Sequence, residues 1–131
     1  MEMIEGSISE LKRALDVSHV RNRVIAENIA NSETPGFKGS SVDFQRAMAD
    51  ANSSADLNMS KTNSMHIFPG GRDEAVKIDK EGGPARADGN NVDQNMEMVR
   101  LSENAIIYST AADLLNRKIK LLKFAIEEGG K

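Results

Sequence analysis

The side chains able to do chemistry are few and scattered. His19 and His66 lie far apart, and neither belongs to a His-x-x-x-His or Glu-x-x-His pair, the spacing that puts two metal ligands on one helix face. There is no cysteine, which removes disulfides, thiolate nucleophiles and Cys-based zinc or iron–sulfur sites. The paired glycines, Gly70-Gly71 and Gly82-Gly83, sit in no phosphate-cradling pattern and read as turns. No serine stands in a nucleophile-elbow context, and the carboxylates lack an apolar setting that would tune them for proton transfer. The basic run Arg117, Lys118, Lys120 and Lys123 reads first as a solvated, dipole-favourable helix end, and second as a contact for an acidic partner. No catalytic constellation, metal site or cofactor site emerges.

Composition agrees. Lys+Arg 17 against Asp+Glu 20 gives a net charge of −3, without the concentrated positive face that nucleic acid requires. One Tyr, four Phe and no Trp do not build an aromatic-walled pocket for a small-molecule substrate. The seven methionines read as adaptable packing. The first residues, Met1-Glu2-Met3-Ile4-Glu5-Gly6-Ser7, are acidic and lack the basic and apolar segments of a cleaved leader. No window reaches the ~18 consecutive apolar residues of a membrane span. The expectation is a chain that stays in the cytoplasm or leaves by a route without a cleaved leader.

The elements follow from periodicity. Ser7-Ile8-Ser9-Glu10 fits a capping box, so the first helix is expected to start there. Ile8, Leu11, Leu15, Ser18, Asn22, Ile25 and Ile29 then follow spacings of three and four, with Ser18 and Asn22 as polar, register-setting positions in an apolar seam. Thr34-Pro35-Gly36-Phe37 should end this unit in a type II turn, Pro35 disfavouring helix at Thr34 and Gly36 supplying positive φ. Near the other end, Asp88-Gly89-Asn90-Asn91 provides a turn and a capping residue, and Asp93 suits a helix start. Leu101, Ala105, Tyr108, Ala112, Leu115, Ile119, Leu122 and Ile126 then repeat in unbroken four–three spacing for about four heptads before Gly129-Gly130.

Between the helices the chain is polar. Val42 to Asp50 has the makings of a short helix, and residues 65–68 and 75–79 show weak strand character around Pro69-Gly70-Gly71. The expected fold is mainly α: long terminal helices paired as a coiled-coil-like hairpin around a small irregular, β-containing middle. The division expected is 1–38 for the first helix and its turn, 39–90 for a partly flexible centre, and 91–131 for the last helix, the two helices forming one core. Ile106, Ile107, Leu114, Leu121 and Phe124 lie off the main stripe and widen the apolar surface beyond one partner helix. Two readings meet these facts: a two-helix core closing as a dimeric, cytoplasmic binding module, and a subunit completed by neighbouring copies.

One segment is more specific. Glu27-Asn28-Ile29-Ala30-Asn31-Ser32-Glu33-Thr34-Pro35-Gly36-Phe37-Lys38 resembles the signature of flagellar rod, hook and related axial proteins, with Asn28, Ala30, Asn31, Thr34, Pro35, Gly36, Phe37 and Lys38 on its pattern. Phe37 stands where Tyr is commoner. A second stretch, Asp88-Gly89-Asn90-Asn91-Val92-Asp93, Glu97-Met98 and Leu101 to Tyr108, resembles the C-terminal region of the proximal-rod members, and Leu57, Thr62, His66 and Ile67 fit their middle loosely. The resemblance spans nearly the whole chain, and its short centre suits a proximal-rod member better than the relatives with large inserts.

The resemblance implies a non-enzymatic, helically assembling subunit of the rod that crosses the periplasm, carrying torque from the membrane-embedded MS ring towards the hook. It implies export through the flagellar apparatus without a cleaved leader. The implied partners are further copies of the chain, other rod proteins, an adaptor, the ring protein and the export apparatus, with no nucleic acid, substrate or cofactor. Ile8, Leu11, Leu15, Ile25, Ile29, Leu101, Tyr108, Leu115, Ile119, Leu122 and Ile126 would carry assembly packing.

Overall fold

A computed structural model describes residues 2–53 and 76–128. The expectations for Leu57, Thr62, His66 and Ile67, for a strand at 65–68 and its Pro69 turn, and for Gly129-Gly130 as a terminator lie outside the described residues.

The first helix, α1, spans Glu2–Ala30. It begins a turn before the expected capping box, so Ser7 and Glu10 lie in its interior, and Ser9 Oγ donates to Gly6 O at 2.7 Å. The correction has a simple cause: extending a formed helix by one more turn costs almost nothing. At the other end the chain leaves as expected. Gly36 takes φ 73 and the Phe37 N–H donates to Thr34 O at 3.3 Å, the type II arrangement.

A two-residue strand β1, Ser40–Ser41, then pairs antiparallel with β2, Asp79–Lys80, in the register Ser40 with Lys80 and Ser41 with Asp79. Between them α2 covers Phe44–Ser53. Asp43 caps it, its Oδ1 accepting from the Arg46 N–H at 3.0 Å. Val42 before the cap and Ala47 in the first turn are both buried, which anchors the entry of the helix from both sides of its cap.

The last helix, α3, runs Gln94–Glu128, about 52 Å at ~1.5 Å per residue. Its cap is Asp93, whose Oδ1 accepts from the N–H groups of Asn95 at 2.9 Å and Met96 at 3.3 Å. The helices α1 and α3 pack antiparallel, Ser18 level with Asn104. The architecture is therefore the mainly helical hairpin with a small strand-containing middle that the periodicity implies.

The core lies to one side of the expected seam. Val17, Val20 and Val24 of α1 cluster with Val42, Ala47 and Val76, flanked by Phe44 and Met48. Helix α1 thus serves two neighbours, α3 on one face and the α2 layer on the next, and its buried arc is wider than a two-helix stripe. Ser18 and Ile25 are buried, while Ile8, Leu11, Leu15 and Ile29 are half-buried. Asn22, expected in the seam, is exposed, because the buried arc turns away from its side; Asn28 is the buried amide instead.

Candidate functional site

The polar side chains of the Asn28–Lys38 segment gather with those of residues 86–97 where the hairpin closes. Helix α1 ends with carbonyls that have no partner further along the helix, and such groups need donors from elsewhere. Asn90 supplies them. Fully buried, its Nδ2 lies 2.9 Å from Asn31 O, 3.1 Å from Ser32 O and 2.8 Å from Thr34 O, while its Oδ1 accepts from the Val92 N–H at 2.8 Å. The Arg86 guanidinium also donates to Ser32 O, and to Val92 O at 3.4 Å. The segment expected only to introduce the last helix therefore caps the end of the first.

The Thr34–Lys38 turn and the Asp88–Asn91 loop interlock through their backbones. The Gly36 N–H donates to Asp88 O at 2.8 Å, the Asn91 N–H to Phe37 O at 3.4 Å, and Lys38 Nζ to Gly89 O at 2.7 Å. Gly89 has φ 81, and a Cβ built there would stand 3.4 Å from Gly36 Cα, so the two loops touch main chain to main chain. Asn91 reaches the middle of the chain: its Oδ1 accepts from the Gly39 N–H and its Nδ2 donates to Glu81 O, each at 2.8 Å. The Phe37 ring lies under Lys80, 6.0 Å from Nζ to centroid.

One layer deeper, Asn28 connects both helices to the strand pair. Its Nδ2 donates to Ser40 O at 2.7 Å and to Glu97 Oε2 at 3.0 Å, and its Oδ1 accepts from the Ser40 N–H at 3.0 Å. Glu97, only 3% exposed, takes Arg100 on its other oxygen at 2.7 Å, and Arg100 also binds Glu81 at 2.5 Å. Partial burial works to lower the Arg100 pKa, but hydrogen bonds and charge attraction from Glu81 and Glu97 outweigh it, and the net shift is upward. The guanidinium stays charged at any physiological pH. Among the described residues no buried side-chain polar atom lacks a partner.

Among the described residues no cluster of His, Asp or Glu could hold a metal. No helix among them is long and apolar enough to cross a membrane. Of the motif residues, Asn28 is buried, Asn31 and Phe37 are half-buried, and Ala30, Thr34, Pro35, Gly36 and Lys38 are exposed. Sequence reasoning missed Arg86 and Asn90 as partners of the end of α1, and Arg100 as the link between Glu97 and Glu81. The available signal was a cluster of short amide side chains next to a glycine, the composition of a loop that bonds to backbone.

The expected packing residues of α3 divide by exposure. Leu101, Leu115 and Leu122 are half-buried; Tyr108, Ile119 and Ile126 are exposed. Off this stripe, Val99, Ile106, Leu114, Leu121 and Phe124 are also exposed, so α3 carries apolar groups both beside its α1 contact and on its outer side. The basic run stops short of the final turn, which contains no basic residue, and Lys123 sits 3.8 Å from Glu127. The helix-end reading of that run therefore gives way to a solvated helix flank, because the dipole acts only within the last turn.

Comparison with known proteins follows the same lines. No protein-family model matches the chain. It is 35% identical over 130 residues to the flagellar basal body rod protein FlgB of Bacillus subtilis (strain 168), covering 98% of this chain and 99% of that protein. It is 32% identical over 139 residues to FlgB of Borrelia hermsii, covering 97% of this chain and 100% of the relative. With FlgB of Proteus mirabilis (strain HI4320) it shares 28% identity over 136 residues, 98% of this chain and 99% of that one. These matches cover nearly the whole chain, and the chain belongs to the family of the flagellar basal body rod protein FlgB.

Proposed function

We propose that this structural protein of the flagellar basal body rod forms part of the proximal rod, assembling helically with copies of itself and transmitting torque without catalysing any reaction. In this reading residues 1–38 and 91–131 make one axial core domain, with residues 39–90 as its central segment. The neighbours are the rod protein FlgC, the adaptor FliE and the MS-ring protein FliF, and the export apparatus delivers the chain to the periplasm without cleaving a leader. Binding is distributed over Ile8, Leu11, Leu15, Ile25, Ile29, Leu101, Tyr108, Leu115, Ile119, Leu122 and Ile126, while Asn28, Asn31, Pro35 and Gly36 set the exit of the first helix.

The observation that carries the reading is the uncovered apolar surface of α3. Ile106, Leu121, Phe124 and Ile126 are each more than 60% exposed in the single chain. Such surface gains stability only when a neighbour covers it, at ~25 cal/mol per Å². Many small contacts of this kind resist rotation better than one strong site, since load is shared along the interface.

Electron cryo-tomography of basal bodies in a strain lacking the chain tests the proposal. An MS ring and export apparatus with no rod or hook beyond them is the expected image. Complete rods and hooks in that strain would sink it.

A further inference from the structure

We infer that the buried pair Ser18–Asn104, backed by Asn28–Glu97, acts with the interlocked turns to select the stagger of α1 against α3. The apolar pattern of α3 cannot do so. Leu101, Tyr108, Leu115 and Leu122 recur every seven residues, so sliding the helix by one heptad sets an apolar residue where another stood. The seam nearest α1 is different: its buried residues are Glu97, Asn104 and Ala111, also at sevenfold spacing but chemically distinct at each step.

In the observed register Ser18 Oγ donates to Asn104 Oδ1 at 2.9 Å, and Asn104 Nδ2 donates to Ser18 O at 2.8 Å. Both residues are at most 2% exposed, so water cannot substitute for either bond. A slip of one heptad in one sense sets Asn104 level with Leu11; in the other, level with Ile25. Either way a buried amide faces an aliphatic side chain, and Glu97 is drawn off Asn28. The polar pairs therefore penalise each slipped register that the leucine repeat tolerates, in the way single polar positions specify coiled-coil alignment. This inference concerns the isolated chain and does not rest on the proposed place in the rod.

The absence of cysteine makes the test direct. Spin labels on cysteines introduced as Ser9→Cys and Asp113→Cys, two exposed positions that this register places level, report the stagger by pulsed dipolar spectroscopy on the full chain. With Ser18 and Asn104 intact, one distance population is expected. With Ser18→Ala and Asn104→Leu, a second population should appear, displaced along the helix axis by about 10 Å, seven residues at ~1.5 Å each. A single unchanged population in that variant overturns the inference. The exchanged pair Ser18→Asn with Asn104→Ser keeps the volume and the hydrogen bonding, and should retain the parental distance even if the apolar pair loses helicity by circular dichroism. Broadening in the exchanged pair would overturn the inference equally.

Discussion

The carboxylate of Glu97 accepts a hydrogen bond from the Asn28 side chain at 3.0 Å, across the interface of the two long helices. One of these residues belongs to the sequence signature at the end of α1, and the other sits in the first turn of α3, where the positive helix start favours a buried negative charge. Through Arg100 the same carboxylate reaches Glu81 beside β2, so the hairpin and the central segment share one polar network.

Removing that carboxylate should loosen all three parts together. Glu97→Ala leaves the Asn28 amide short of an acceptor and Arg100 with Glu81 alone, at a cost of about 2–3 kcal/mol. Arg100 keeps one partner and access to water, which holds the loss below that of a fully buried broken pair. Urea denaturation followed by circular dichroism reads the shift in midpoint, and a loss under about 0.5 kcal/mol would show that the network is incidental to folding.

Asn90 caps the end of α1 through its amide nitrogen. Asn90→Ala should cost about 1–3 kcal/mol for the carbonyls left unpartnered. Asn90→Asp should be worse still, because it removes both N–H donors and points negative charge at three carbonyl oxygens. Thermal melts that place the Asp variant above the Ala variant would show that the amide faces the other way.

Two glycines should respond with opposite signs. Gly36 sits at φ 73 with open space around it, so Gly36→Ala meets backbone strain alone, about 1–2 kcal/mol destabilising. Gly6 lies inside α1 with nothing within 4 Å of an added Cβ, and Gly6→Ala should stabilise by about 0.5–1 kcal/mol. Denaturation midpoints that move the same way for both would contradict the turn geometry.

Assembly and folding separate at the far end of α3. Ile126 is 67% exposed, so Ile126→Asp should leave the melting temperature within a degree or two of the parent, about what a surface change of a few tenths of a kcal/mol produces, while blocking rod formation. Leu115 is half-buried, and Leu115→Asp should lower stability as well as abolish the rod, with export of the chain preserved. Swimming halos, melting curves and the amount of exported chain distinguish the two. Normal motility in either variant would count heavily against the packing role.

Much of this molecule was legible residue by residue. The heptad repeat of α3, the Thr34-Pro35-Gly36 turn and the short helix after Val42 are local features, each set by side chains within a few positions of one another, whereas the capping residue expected within Asp88–Asn91 is Asp93. The signature from Asn28 to Lys38 was equally visible. Local reasoning erred where two signals were degenerate. The capping box at Ser7 has the same residues whether a helix starts there or passes through, and the polar seam positions Ser18 and Asn22 are indistinguishable until a neighbour buries one of them.

By itself, then, the sequence determined the helices, their approximate ends and the apolar surplus on α3, because periodicity, capping and turn chemistry act over short distances. The tertiary structure alone decided which residues answer one another across the fold: Asn90 on the carbonyls of α1, Glu97 on Asn28, Asn104 on Ser18, and the valines Val17, Val20 and Val24 on the α2 layer. Those pairings join positions from about 20 to more than 80 residues apart, and nothing in a heptad repeat distinguishes one stagger from the next. Buried amides and carboxylates must each find a partner, and that demand is met only when the whole chain is in place.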